Sequence, residues 1–533
     1  MSRRRNILIA VVVVFGVVIL IPIIRHYQLR FAVASCIAEL KAKGEPMELA
    51  QVIPLPVPPE QNGAPLITNA LSQIKKESNF TNSLILKNSP FDMSMSIAPG
   101  KKIVGWRQPF IHDPEGYYPT NTWGDLGAQL ADRQNDLDSF RSLLNKPLLD
   151  FNYNYSDPKI FIPDLAPHLA EFKLAVQWLE SSEFYNLHQG KTSNACTDVR
   201  TILAFVKGET DERFEISQLV HIALTQMCAN ATWEILQATN VSDEDLAHLQ
   251  QDWQSLEFIA PLKNAFLFER ISELQLLNNL HQSPTNLDAQ VSWAEFAMAP
   301  EKEYRYKRTE NGTYVLDDER SLFQKVKDGI STQWDKFQWR WFWSYTDEVR
   351  GLQMCQVVID GTQMMETNNS FQSVQTFLNT NFVRLGFDSV KNNPYAILSQ
   401  NAHTQLAAIR KAANAEIART VVVTAIALKR YELRHHQLPA TLDELTPDLL
   451  QTVPIDWMNG EPLHYRPNAD GTFLLYSVGE NGVDDGGNPS LEKDVTSSNY
   501  YWQNPHALDW VWPQPATGDE IQAYYKRISS KSN

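Results

Sequence analysis

The stretch from Leu428 to Asp485 decides the C-terminal fold, and it reads LKRYELRHHQLPATLDELTPDLLQTVPIDWMNGEPLHYRPNADGTFLLYSVGENGVDD. Its first part predicts the end of a helix, because Pro439 cannot continue the helical hydrogen bonding and restricts the residue before it. Thr441 is followed three residues later by Glu444, which is the spacing of a capping box. This part of the chain therefore predicts a helix, a break and a short second helix.

The second part of the stretch predicts a β-hairpin followed by an acidic loop. Two apolar-rich runs, 463–466 and 473–478, lie on either side of Asp470-Gly471. A short Asp-Gly connection between such runs is typical of a hairpin turn. A segment rich in glycine and acidic residues, Gly479 to Gly487, follows the second run. The chain is thus expected to close with a small α+β module.

The order of these parts resembles the C-terminal half of the major pseudopilin of type II secretion systems. In that family a helix ends at a YP..L..L turn, a VP.DPW/G.P..Y segment follows, and a YS.G.DG motif closes the chain. The resemblance implies a pseudopilin-like hairpin, a role in an envelope assembly, and calcium in the C-terminal loop. The matching residues here are Tyr431, Leu438, Pro439, Leu442, Leu445, Pro454, Asp456, Gly460, Pro462, Tyr465, Tyr476, Ser477, Gly479 and Gly482.

Several oxygen-bearing side chains lie within or after the acidic loop, and they predict a site for a hard cation. Calcium accepts carboxylate and amide oxygens in tolerant geometry, which a flexible glycine-rich segment can supply. The pseudopilin resemblance implies the same ion at this place. A solvated acidic turn after the hairpin is the alternative interpretation. The candidate metal ligands are Glu480, Asn481, Asp484, Asp485 and Asp494.

The N-terminal segment predicts an uncleaved membrane anchor. Residues 7–24 read ILIAVVVVFGVVILIPII, an apolar run about as long as a bilayer core requires. Arg3, Arg4 and Arg5 precede the run and favour an N-terminus in the cytoplasm. The run and the arginines predict a single-pass protein with its bulk extracytoplasmic, and the pseudopilin resemblance implies that the membrane is a bacterial inner membrane and the bulk periplasmic. The segment lacks the glycine-ended leader and early glutamate of pseudopilins, so pilin-type processing is not expected.

Between the anchor and the C-terminal module the apolar pattern is largely helical. Phe172, Val176 and Leu179 recur at helical spacing, and Ser242 with Asp245 gives an N-terminal capping signature. A long helix is predicted from about residue 401 to 435, with its apolar middle buried. The anchor, the ISQLVHIAL segment at 216–224, the SDEDL helix start at 242–246 and the YSVG ending together resemble uncharacterised membrane-anchored proteins of planctomycete and verrucomicrobial bacteria. That resemblance implies an architecture and no known activity.

The predicted fold class is mainly α, with an N-terminal transmembrane helix, an antiparallel helical array and a small C-terminal α+β module that carries the pseudopilin-like hairpin. The predicted segments follow the chain. They are a cytoplasmic tip and anchor (1–30), a helix, proline-rich spacer and irregular region (31–122), the helical array (123–400), and the long helix plus α+β module (401–533).

Composition narrows the range of partners. The formal net charge of −15 argues against a nucleic-acid binder, since phosphate neutralisation needs a basic surface. The four cysteines, at 36, 196, 228 and 355, show no metal-binding spacing. Free buried thiols are the favoured interpretation, and a pair between Cys196 and Cys228 is left open.

The densest aromatic cluster runs from Trp334 to Tyr345, and we expect it to be a helix buried in the core. A membrane interface or a sugar-stacking surface is the alternative for this cluster. For the whole chain we expect a structural or interaction role with protein partners, and we assign no catalytic residue. The alternative is an extracytoplasmic hydrolase or a carbohydrate- or peptide-binding protein that uses the loops of 80–118, including His112-Asp113, and the tryptophans.

Overall fold

The computed structural model describes most of the chain. The described residues are 2–78, 96–109, 122–155, 162–208, 212–282, 306–308, 314–316, 337–386, 398–399, 402–492, 504 and 506–531. Among these, 2–19, 75–78, 162–167, 306–308, 314–316, 402–403 and 528–531 are described by their backbone alone.

The fold is mainly helical with short strands, as the sequence predicts. The α-helices are α1 (Ser2–Ala42), α2 (Ala64–Ser78), α3 (Trp123–Asp132), α4 (Gln134–Arg141), α5 (Ile162–His188), α6 (Thr192–Gly208), α7 (Glu215–Leu236), α8 (Asp243–Gln254), α9 (Ile259–Gln282), α10 (Ser344–Asn368), α11 (Phe371–Leu385), α12 (Ala402–His435) and α13 (Gly518–Lys531). The strands are β1 (Ser96–Ala98), β2 (Lys101–Lys102), β3 (Tyr306–Arg308), β4 (Tyr314–Leu316), β5 (His464–Pro467), β6 (Phe473–Ser477), β7 (Trp510–Val511) and β8 (Gln514–Pro515).

The chain divides into two compact units, and each is assembled from three separate segments. Unit 1 contains Met1–Val52, Leu267–Val358 and Thr380–His403. Unit 2 contains Ile53–Phe266, Ile359–Asn379 and Thr404–Asn533. The predicted segments are each continuous along the chain, whereas each unit combines segments that are distant in the sequence.

Unit 2 is built around consecutive helices that pack on one another. α5 contacts α6 and α7, α6 also contacts α7 and α8, and α2 packs on α5. Gly190 has a φ of +71°, a conformation that glycine adopts without strain, where α5 turns into α6. Ser242 accepts a hydrogen bond from the Asp245 amide over 3.0 Å, so the predicted N-terminal cap of α8 is confirmed. Leu246, Leu249 and Trp253 of α8 are buried in the core.

The predicted hairpin is confirmed. β5 and β6 pair antiparallel, with His464 opposite Tyr476 and Pro467 opposite Phe473, and β7 adds to β6. β8 pairs parallel with β2, which lies more than four hundred residues earlier in the chain. The long helix α12 is also confirmed, and of its predicted apolar middle, 420–428, every residue except Thr420 is buried.

The short second helix predicted after Pro439 is wrong. Leu442–Leu445 forms only a 3-10 turn, and the Thr441 side chain makes no capping hydrogen bond. The Glu444 carboxylate instead accepts from the Ala440 amide (2.9 Å) and from the Tyr431 hydroxyl (2.9 Å). Pro447 holds the preceding residue in an extended conformation, so the turn has no room to continue as a helix.

The interpretation of the aromatic cluster as a buried helix is also wrong for most of its described residues. Trp339 is buried against Leu277, Leu280 and Leu398 of unit 1. The neighbouring rings at 337, 341, 342 and 343 are all more than a third exposed. Trp339–Trp343 forms a π-helical turn, which breaks the regular helical spacing on which the prediction rested. Trp334 lies outside the described residues.

All four cysteines are free thiols, and three of them are buried. Over the described part of the chain, no helix combines the length and apolarity of a membrane span. α1 runs through the predicted anchor, but most of the apolar stretch, up to residue 19, lies outside the described side chains.

Candidate functional site

The structure places four of the five predicted metal ligands in a loop after β6, and Asp494 lies outside the described residues. Glu480 accepts a hydrogen bond from the Asn414 amide group on α12 over 2.8 Å, with the Arg410 guanidinium 3.8 Å away. Burial raises the pKa of Glu480, and the bond from Asn414 opposes this rise. Glu480 therefore faces the helix.

The other three described ligands have protein partners inside the module. The Asn481 amide donates to Asp485 over 3.0 Å, and Asp484 accepts from the Tyr476 hydroxyl over 2.9 Å. The bond from the Gly486 amide is the main reason that the pKa of Asp484 is lowered. Among the described residues, no group of three or more His, Cys, Asp or Glu side chains is placed to hold a metal ion. Calcium stays a prediction.

A carboxylate that the sequence analysis missed holds this loop in shape. Asp509 is fully buried and accepts three backbone hydrogen bonds, from Asp485 (3.3 Å), Gly487 (2.9 Å) and Asn488 (2.8 Å). Burial raises the pKa of Asp509, while the three amides favour its ionised form. The loop is thus organised around an internal anion.

Asp456, one of the residues behind the pseudopilin resemblance, acts in the same way. It is fully buried and accepts from the Met458 amide (3.0 Å), the Val478 amide (2.8 Å) and the Ser477 hydroxyl (2.8 Å). These bonds connect the segment before the hairpin to the end of β6. The motif residue therefore has a structural role in this chain.

A second cluster of ionisable groups lies in the core of unit 2, and the sequence analysis did not find it. It contains the side chains of Lys102 on β2, Glu180 and Glu183 on α5, and Glu234 on α7. The exposed fraction of each of these four residues is 2 % or less. Burying charged groups in this way is costly unless they are paired or neutral.

Each member of this cluster has a different hydrogen-bonding state. The Lys102 ammonium donates to Asn230 over 3.0 Å and lies 4.5 Å from the centre of the Trp233 ring. Glu234 accepts from the Gly105 amide over 3.1 Å. Within the described residues, neither carboxylate oxygen of Glu183 has a hydrogen-bond partner, and one oxygen of Glu180 also has none.

Burial dominates the electrostatics of the cluster. It raises the pKa of Glu180 to about 8, with the charge of Lys102 opposing the rise. Burial, followed by the nearby Glu234, raises the pKa of Glu183 well above its usual value. Burial also lowers the pKa of Lys102 to about 8. The protonated forms of Glu180 and Glu183 are therefore favoured at neutral pH.

Asp198 on α6, next to this cluster, has a full set of partners. It accepts from the Arg141 guanidinium over 2.8 Å and from the Asn186 amide over 2.9 Å. Arg141 also donates to Ser182 over 3.0 Å. This network fixes α4, α5 and α6 to one another. By contrast, both carboxyl oxygens of Glu183 and one of Glu180 have no hydrogen-bond partner among the described residues.

Strongly shifted pKa values often mark functional sites, but all four side chains of this cluster are closed to solvent. A substrate therefore has no access to them in this conformation. The residues considered for a hydrolase, His112 and Asp113, lie outside the described residues. Comparison of the chain with known protein families, with curated proteins and with solved structures finds no match.

Proposed function

We propose that this chain is a membrane-anchored extracytoplasmic scaffold or interaction protein of the cell envelope, with its C-terminal module as a fixed surface for a protein partner. The observation that carries the proposal is the way in which this module is built into the helical core of unit 2. A catalytic lid would need to move, whereas a docking platform benefits from being rigid.

Several contacts tie the module to the helices. The Trp233 indole on α7 donates to the Pro513 carbonyl over 2.9 Å. Gln250 on α8 donates to the Leu449 carbonyl over 2.6 Å. The β2–β8 pairing adds backbone hydrogen bonds, including the one from the Gln514 amide to the Gly100 carbonyl over 2.9 Å. Together these bonds join the start, the middle and the end of unit 2.

A salt-bridge network supports the same junction. Arg430 and Arg434 on α12 both reach Asp243 at the start of α8, over 2.8 Å and 2.7 Å. Asp243 lies in the first helical turn, where a carboxylate is also favoured by the helix dipole. The long helix that leads into the module is therefore held at its C-terminal end as well.

The described part of the acidic loop offers a partner two exposed carboxylates and the exposed apolar side chain of Val483. Asp484 and Asp485 are exposed, and Val483 beside them is 56 % exposed. In the proposed interface these carboxylates form part of the polar rim, and Val483 contributes apolar contact area. The membrane part of the proposal is supported by the apolar run 7–24 and by the continuity of α1 through it.

Crosslinking and mass spectrometry of the tagged protein in its native membranes test this function. The proposal expects reproducible crosslinks from 438–494 to one set of envelope proteins, such as secretion or pilus components. Purification of the chain alone, as a monomer without crosslinked partners, would contradict the scaffold role. Hydrolytic and ligand screens would then be the next step.

A further inference from the structure

Unit 1 carries an exposed aromatic surface that the proposed scaffold role does not explain. Soluble proteins rarely leave several large apolar rings together in water. The rings come from α1 and from the segment around the π-helical turn. We call them the aromatic surface, and its members are Tyr27, Phe31, Phe337, Trp341, Phe342 and Trp343.

The two parts of this surface are joined by His26 on α1. Its ring lies 4.9 Å from that of Trp341 and 5.0 Å from that of Tyr345, measured between centroids. Phe337 in turn lies 6.4 Å from Trp341 and 6.0 Å from Phe342. The π-helical turn therefore lies beside α1 at the level of His26, whose neighbour Tyr27 is exposed.

The position of the surface along α1 places it just beyond the apolar run. A helix rises 1.5 Å per residue, so Tyr27 lies about 5 Å past Ile24 and Phe31 about 10 Å past it. The polar headgroup layer of a bilayer adds roughly 5 to 8 Å on each side of the hydrocarbon core. A bilayer that holds the run 7–24 therefore brings Tyr27 and its neighbours to headgroup depth.

The chemistry of the surface also fits that layer. Tryptophan and tyrosine concentrate at membrane interfaces, because their rings are apolar at one end and polar at the other. Arg25 and Arg30 are exposed on the same stretch of α1, and Arg340 lies within the π turn. Long basic side chains next to the end of a membrane helix extend into the headgroup layer.

We propose that the aromatic surface lies in the headgroup layer of the bilayer and seats the folded body of unit 1 on the membrane. The inference rests on the membrane anchoring in the proposed function and adds a second, lateral contact. A single anchoring helix leaves the attached body free to tilt, whereas an interfacial patch beside it fixes the orientation. The occupant is lipid; a second copy of the chain or a carbohydrate are outcomes of the test.

Tryptophan fluorescence of the full chain in nanodiscs tests the proposal. The lipid mixture contains phosphatidylglycerol and a phosphatidylcholine that is brominated close to the headgroup, which quenches nearby indoles. The variants are Trp341→Phe and Trp343→Phe, singly and together. Trp106→Phe is the control, because Trp106 is a half-buried indole of unit 2. Flotation of the same samples reports whether the chain is held by the bilayer.

We expect the double variant to lose most of the lipid-dependent quenching, because Trp341 and Trp343 are the two indoles of the aromatic surface, and we expect Trp106→Phe to leave it unchanged. Flotation together with undiminished quenching in the double variant would overturn the aromatic contact and leave the anchor intact. Loss of flotation in the wild type would overturn both. A change in oligomer mass, or fluorescence protection by soluble oligosaccharide, without a change in lipid quenching would assign the surface to another occupant and so overturn the proposal.

Discussion

The Trp233 indole nitrogen donates a hydrogen bond to the Pro513 carbonyl oxygen over 2.9 Å, and Trp233 is fully buried. The face of the same ring lies 4.5 Å from the Lys102 ammonium. One side chain of α7 therefore touches both the buried ionisable cluster and the C-terminal module. The helical core and the module of unit 2 are expected to gain and lose their structure together.

The substitution Trp233→Phe tests this coupling. It removes the indole donor and leaves the Pro513 carbonyl buried without this partner, at an expected cost of about 1 to 3 kcal/mol in the free energy of unfolding. Denaturant unfolding followed by hydrogen exchange should show α7 and β6–β7 losing protection in one transition. Trp178→Phe, at another buried tryptophan of unit 2, controls for the lost ring volume. Separate transitions for module and helices in the wild type would refute the coupling.

The buried cluster predicts an unusual pH dependence of stability. The pKa of Glu180 is raised from 4.5 to about 8 by burial, so the folded state holds a proton that the unfolded state releases in this range. The contribution of Glu180 to the free energy of unfolding is therefore fully present below pH 4.5. It decreases as the pH rises toward 8, by up to about 1.4 kcal/mol per pH unit. Glu180→Gln should flatten this slope.

The measurement is the free energy of unfolding at several pH values between 4.5 and 8. Glu244→Gln, at an exposed carboxylate on α8, is the matched control and should leave the slope as in the wild type. The titration of Lys102 changes the free energy of unfolding in the opposite direction, at a higher pH. Its pKa is lowered from 10.5 to about 8, so its contribution raises stability between these values. Equal slopes in Glu180→Gln and the wild type would contradict the assignment.

The acidic loop should depend on Asp509 more than on any exposed carboxylate. Asp509→Asn replaces a charged acceptor of three backbone amides by a weaker neutral one. We expect the Gly487 and Asn488 amides to exchange with solvent about tenfold faster, which corresponds to about 1.4 kcal/mol. Asp485→Asn is the control at an exposed site of the same loop. Equal exchange in both variants would contradict the role of Asp509.

The calcium prediction has a direct test in thermal melting. Binding would replace the present bonds of Asp484 to Tyr476 and of Asp485 to Asn481 by bonds to the metal. Millimolar calcium is then expected to raise the melting temperature of the full chain, and Asp484→Asn with Asp485→Asn should abolish the rise. A melting temperature that does not respond to calcium or to a chelator would contradict calcium binding at this loop.

The sequence predicted local structure well where a few neighbouring residues determine it. Ser242 and Asp245 define a helix start, and Asp470-Gly471 defines a hairpin, because capping and turn chemistry act over only a few residues. The cluster of Lys102 and Glu180 was missed because only the tertiary fold brings β2 against α5. One signal was available: Glu180 and Glu183 interrupt a densely apolar stretch of α5.

The aromatic cluster shows a different limit of sequence analysis. Phe337 and Trp341 are four residues apart and would share one stripe of a regular α-helix. A π-helical turn needs only one extra residue to change which rings face the core. Trp339 became the buried ring, and Trp341 became exposed. Periodicity cannot locate such a turn, because its stability depends on the packing around it.

Site-specific photo-crosslinking tests the scaffold role most directly. A photoreactive residue replaces Val483 in the acidic loop, and the control replaces Val383 on α11, a valine of unit 1 that is 74 % exposed. In native membranes we expect position 483 to crosslink to one discrete partner. Position 383 should give different crosslinked products or none. Uniform background labelling from both positions, with the chain remaining a monomer, would contradict the claim that the C-terminal module is a docking surface.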